Sequence, residues 1–203
     1  EVTRVLSPGT AIDNALGQEQ NNFLAALFEA SDVTGKILPA TKAHSDLEPL
    51  APPLKARPVK TDGVYAVALL DVSTGEFRTA EFKGANALQL AADAILMAGA
   101  SEVLVASSAE IPAALERIPA RTRVEDWVWT RDFAVPLVER QLGVRSLEGY
   151  GLVGHEAAAI AAGAVLHYVR TTQKNEALHV DSLRFEEHST ALELDQVTVR
   201  NLE

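Results

Sequence analysis

Three features of the sequence carry residue types that could do chemistry. The first is Gly149-Tyr150-Gly151-Leu152-Val153-Gly154, a literal G-x-G-x-x-G that opens a helical run. In a dinucleotide site such glycines permit a tight turn and bring a pyrophosphate close to a helix N-terminus. That chemistry needs a strand directly before the motif. Here a helix and the polar loop Gly143 to Glu148 precede it, so the simpler reading is a glycine loop whose turns need open backbone space. The second feature is Asp71, at the end of a strand, where a two-metal nuclease would place one of several converging carboxylates. Asp93, Glu102 and Asp126 are the nearest companions in the chain, and none sits in a motif. Asp71 reads more simply as the hairpin residue that bonds the turn backbone. The third is the set His44, His155, His167, His179 and His188. No two are spaced i, i+4 and there is no H-E-x-x-H, so the spacing suggests no metal pair. His155 reads as an exposed neighbour of a helix cap.

The elements that would position these residues are organised around Val64 to Phe82. Val64 to Leu70 is nearly all apolar and suits a strand covered on both faces. Glu76 to Phe82 alternates, with Phe77, Thr79 and Glu81 on one side and Arg78, Ala80 and Phe82 on the other. That pattern predicts a half-exposed strand. Ser73-Thr74-Gly75 supplies the turn between them. Asn22 to Ala30 is assigned as a strand pairing with Val64 to Asp71. Ala85 to Ala98 predicts a helix ended by Gly99, with Leu88, Ala91, Ala92, Ile95 and Leu96 on one face.

Glu102 to Ser107 then predicts a buried strand reached by a parallel crossover. Ile111 to Arg117 predicts a short helix. Arg123 to Trp129 predicts a strand with Trp127 and Trp129 as core anchors on one side. Asp132 to Leu142 predicts a helix, with Pro136 tolerated near its first turn or at a kink. Glu156 to Thr171 is the strongest helix, with Ala157, Ile160, Ala161, Ala164, Val165 and Tyr168 as its buried stripe. Val2 to Leu6, Ser182 to Glu187 and Ala191 to Leu194 read as short extended runs, and Asp13 to Leu16 as a helical turn. The order gives an α/β domain with an antiparallel meander followed by parallel crossovers. A ribonuclease-H-like mixed sheet flanked by helices has that order.

Composition narrows the function classes. The 203 residues suit one moderate domain with extensions. There is no cysteine, so disulfides, thiolate metal sites and cysteine nucleophiles are excluded. No apolar run approaches the ~20 residues of a membrane helix. Together these make the cytoplasm the expected compartment. The net charge of −10 weighs against the domain holding a DNA backbone by itself, though it does not exclude one small basic patch. Residues 31–62 hold five of the nine prolines and a slight basic excess. A stretch this long without periodicity reads as an insertion at a hairpin tip.

Five stretches resemble the connector region of bacterial MutS-type DNA mismatch repair proteins. They are Arg4-Val5-Leu6-Ser7-Pro8-Gly9-Thr10, Asn21-Asn22-Phe23-Leu24-Ala25-Ala26 and Leu70-Asp71-Val72-Ser73-Thr74-Gly75-Glu76-Phe77, then Gly143 through Leu147 to Gly149-Tyr150-Gly151, and Thr198-Val199-Arg200-Asn201-Leu202-Glu203. They fall in the family's order, and only residues 31–62 are longer than its pattern. The resemblance implies a fragment: residues 1–20 as the tail of a mismatch-binding domain, 21–194 as the connector, and 195–203 as the start of the lever. It implies a non-enzymatic module with no cofactor of its own, since ATP and Mg would belong to the parent protein. The module would relay rearrangement between the other domains of its chain, bind DNA weakly or not at all, and dock a MutL-type partner. The docking residues it implies are Phe133, Pro136, Leu137, Arg140 and Gln141. The alternative is a stand-alone α/β enzyme, either a metal-dependent nuclease at Asp71 or a nucleotide binder at Gly149 to Gly154.

Overall fold

The computed structural model describes residues 22–30, 63–173 and 180–187. Strands β1 (Phe23–Ala30), β2 (Gly63–Asp71) and β3 (Phe77–Gly84) form the antiparallel meander. Helix α1 (Ala87–Met97) leads to β4 (Glu102–Ala106), which lies parallel to β1. β5 (Ala120–Val124) follows parallel to β4. Helices α2 (Arg131–Leu142) and α3 (Glu156–Gln173) come next, and β6 (Arg184–Glu187) closes the sheet parallel to β3. The strand order is β5-β4-β1-β2-β3-β6. The protein is thus α/β, with a mixed sheet of six strands among the described residues, an order consistent with a ribonuclease-H-like arrangement.

Alternation along the central strands divides the core into two layers. Leu24 and Ala26 of β1, with Ala66, Ala68 and Leu70 of β2, join the cluster under α2 and α3. Phe23, Ala25 and Leu27, with Val67 and Leu69, join the cluster under α1. Both faces are covered, which is why Val64 to Leu70 is nearly all apolar. The Asn22 to Ala30 pairing is as expected, with Phe23 opposite Asp71 and Ala30 opposite Val64.

Three expectations need correction. β3 is buried on both faces, because α3 covers the side carrying Thr79 and Glu81. The Thr79 hydroxyl lies 2.9 Å from the Val67 carbonyl and 3.0 Å from the Ala158 carbonyl on α3. The strand expected at Arg123 to Trp129 lies earlier, at Ala120–Val124. β5 stops where Val124 pairs with Ala106, the last residue of β4. Without a partner strand, Asp126–Trp129 curls into a 3-10 turn. Trp129 enters the core, while Trp127 is 52% exposed. The short helix expected at Ile111 to Arg117 is also a 3-10 turn, Ala113–Arg117. Val2 to Leu6, Asp13 to Leu16, residues 31–62, Ala191 to Leu194 and 195–203 lie outside the described residues.

α2 and α3 run side by side in the same direction. Arg131 meets Glu156 at their N-terminal ends, at 2.9 Å, and Gln141 meets Arg170 near their C-terminal ends. Between these pairs the backbones nearly touch. A Cβ placed on Gly163 would stand 2.5 Å from the Ala134 Cβ and 2.7 Å from its Cα. The small residues of α3 therefore serve close approach, as their type suggests. Beneath α3, the fully buried Glu102 accepts hydrogen bonds from Thr122 (2.6 Å) and Tyr168 (2.7 Å) through Oε1.

Gly163→Ala separates two effects of opposite sign. In an open helix the change stabilises by about 1 kcal/mol. Overpacking against a backbone atom costs about 1–3 kcal/mol. The expected result is a lower urea midpoint at unchanged slope, with Ala134→Gly restoring part of it in the double variant. A raised midpoint would show that the helices part easily.

A second test concerns the far end of the β1–β2 ribbon, where the Tyr65 hydroxyl donates to Glu29 Oε1 at 2.7 Å. Burial first, and then the Glu29 acceptor and its charge, raise the Tyr65 pKa from 10.0 to about 12. An absorbance titration is expected to show Glu29→Gln lowering the pH at which one tyrosine ionises. The contribution of Tyr65 to stability is present below pH 10.0 and is lost as pH rises from there towards about 12.

Candidate interaction surface

α2 is capped at its C-terminus by Gly143, in the left-handed region with φ 66°. The Val144 amide then returns to the Glu139 carbonyl at 3.0 Å. The inner face of α2, Ala134 and Val138, is buried on α3. Its outer face carries Phe133, Pro136, Leu137 and Arg140 at i, i+3, i+4 and i+7, one contiguous stripe. Pro136 and Arg140 are exposed, and Phe133 and Leu137 are half-buried. The helix continues past Pro136. Asp132, whose carbonyl lacks the amide four residues on, is exposed like Pro136, so the missing bond lies away from the core. Gln141 turns inward. Its Nε2 donates to the Val180 carbonyl at 3.1 Å, and its Oε1 accepts from Arg170.

The stripe continues onto two residues that the sequence reading did not place there. Trp127 lies edge-to-face on Phe133, with centroids 4.6 Å apart, and on His167 of α3, at 5.2 Å. Phe133 and His167 meet at 5.3 Å. The turn holding Trp127 is fixed because Thr130 Oγ1 donates to the Trp127 carbonyl at 2.8 Å. Burial lowers the His167 pKa, opposed by the charge of Glu125, so the imidazole is neutral at neutral pH. The result is a packed aromatic ledge beside a half-apolar helix face. The cue in the sequence was Glu125-Asp126 ahead of a helix start, which favours a turn over a strand.

The other candidate chemistries find less support in the geometry. Asp71 Oδ1 accepts from the Ser73 amide (2.8 Å), the Ser73 hydroxyl (2.6 Å) and the Thr74 amide (3.4 Å). This is the turn-bonding role, completed by Gly75 at φ 77°. Its proposed companions are dispersed. Asp93 accepts from Gln89 on α1, Glu102 lies under α3, and Asp126 accepts from Ser108. Among the described residues no three His, Asp or Glu side chains converge as a metal-ligand set. In the glycine loop, Gly151 and Gly154 take positive φ. A 3-10 turn, Glu148–Tyr150, precedes them where a dinucleotide site has a strand. His155 is less exposed than expected. Its ring packs on Phe185 at 4.4 Å, and its Nδ1 lies 3.4 Å from the buried Glu81. Among the described residues no helix is long and apolar enough to cross a membrane.

Comparison with known proteins accords with this architecture. Residues 54–181 match the family model described as MutS domain II. A DNA mismatch repair protein MutS from Solibacter usitatus is 35% identical over the whole chain, and one from Methanosarcina barkeri is 34% identical. The chain spans 20% and 21% of those two proteins. The chain belongs to the MutS domain II family.

Proposed function

We propose that this chain is the connector module of a MutS-type mismatch repair protein. It links the mismatch-binding part to the lever and ATPase parts and relays their rearrangement. It carries no catalytic residues of its own, and ATP and Mg act elsewhere in the parent, a cytoplasmic protein. The α2 surface, with Phe133, Pro136, Leu137 and Arg140, docks a MutL-type partner, and Trp127 extends that surface. The observation that supports the docking role is the aromatic ledge itself. An exposed tryptophan packed against Phe133 and His167 is the kind of anchor that carries interface energy. A relay also needs a body that moves as a unit, and the Gly163–Ala134 crossing supplies close packing for one.

The experiment introduces Trp127→Ala, Leu137→Ala and Arg140→Ala singly into the parent protein. Partner recruitment on mismatched DNA is measured beside mismatch binding and ATP hydrolysis. Each change at an anchor is expected to cost about 1–2 kcal/mol of partner affinity, roughly five- to thirtyfold. Mismatch affinity and ATP hydrolysis without partner are expected to stay at wild-type values. Unchanged recruitment in all three variants would remove the docking assignment.

A further inference from the structure

The chain is acidic overall, yet one sheet edge collects arginines. Arg117 ends the 3-10 turn before β5, and Arg121 and Arg123 stand on β5, the outermost strand on that side among the described residues. All three are exposed. Glu116 adjoins them in sequence and Glu110 lies in the preceding loop. Even so, among the described residues none of the three guanidiniums makes an ion pair. By contrast, Arg78, Arg131 and Arg184 each face a carboxylate.

Arg121 and Arg123 are nonetheless held in place. Arg121 Nη1 donates to the carbonyls of Glu116 (2.5 Å) and Ile118 (3.1 Å). Arg123 Nη1 donates towards the carbonyls of Ser107 (2.8 Å), Ala109 (2.8 Å) and Ala106 (3.4 Å). In both, one nitrogen is used. The side-on fork of Nε and Nη2 makes no hydrogen bond among the described residues. That fork is the part of a guanidinium that binds an oxyanion through two parallel hydrogen bonds. Two residues apart on a strand, the side chains share one face and start about 6.6 Å apart. That span is comparable with the separation of neighbouring phosphates along a nucleic-acid strand.

We propose that Arg121 and Arg123 form a preorganised phosphate-binding pair that receives the backbone of DNA along the β5 edge, with Arg117 adding charge. The carbonyl anchors remove much of the side-chain entropy that long arginines lose on binding. No large exposed apolar side chain lies on β5, so the edge lacks the anchor that an acidic peptide would need. The choice of DNA rests on the proposed role in mismatch repair. The site does not use the α2 surface, so its failure would leave partner docking untouched. With two phosphates engaged by a chain of net charge −10, the contact is local, weak and sequence-independent.

The test follows the arginine Nε–Hε NMR signals of the 203-residue chain during titration with a short DNA duplex. Shifts at Arg121 and Arg123 are expected at about 50 mM salt and their loss by about 200 mM, with a log–log salt slope near −1.8 for two phosphates. Arg121→Gln and Arg123→Gln are each expected to reduce that slope by about 0.9. Arg123→Lys retains the charge and is expected to weaken binding through loss of the fork. An oligo-glutamate peptide of matched charge is titrated in parallel. Three results would each overturn the proposal: no shift with DNA at low salt, shifts only at other arginines, or equal shifts with the peptide.

Discussion

The arrangement of this domain depends on one close approach, that of Gly163 on α3 to Ala134 on α2. A full side chain at either position would push the helices apart. Because they touch, α3 can lie flat over the meander while α2 rides on top of it. From Ala157 to Leu166, α3 is almost entirely buried, an unusual condition for a helix of a domain this size. Its alanines meet the sheet on one side and α2 on the other. Thr79 fastens the underside of α3 to β3, and Tyr168 fastens its far end to Glu102. The outward face of α2, and hence the aromatic ledge, takes its position from that stack.

Much of this organisation was legible in the sequence, because pattern and burial agree in the meander. A strand covered on both faces must be largely apolar, and β2 is so from Val64 to Leu70. Asp71 with Gly75 specifies its turn by local chemistry alone. The Asn22 to Ala30 strand could be assigned because a connection leads from it to β2. The glycine ends of α1 and α2 were visible as well, since helix termination is also local.

Failures came where a neighbour decided the outcome. Period-two alternation made β3 look half-exposed, yet α3 covers its polar side and a threonine and a glutamate are buried there with partners. Arg123 to Trp129 alternates like a strand, but β4 offers no backbone beyond Ala106 to pair with. That tertiary limit turned Trp127 outward and created the ledge, so the aromatic part of the surface was invisible to periodicity. The helix-face residues Phe133, Pro136, Leu137 and Arg140 were placed by family resemblance, and a 3.6-residue repeat is enough to bring them together. The same repeat could not reveal that Gln141 turns inward to Arg170 and Val180.

The shared direction of α2 and α3 has an electrostatic consequence. Two parallel helices add their dipoles, so one end of the pair carries the partial positive charge of both N-termini and the other the partial negative charge of both C-termini. Antiparallel neighbours would cancel these; parallel ones must be compensated from outside. The first turns supply Asp132 and Glu156, and the last turns Arg140 and Arg170. Asp132 and Glu156 are thus counter-charges to a polarised helix pair. The surface proposed for docking therefore has a built-in axis, set by the two aligned helix dipoles. Any protein that lies along it meets a field with a direction as well as an apolar stripe.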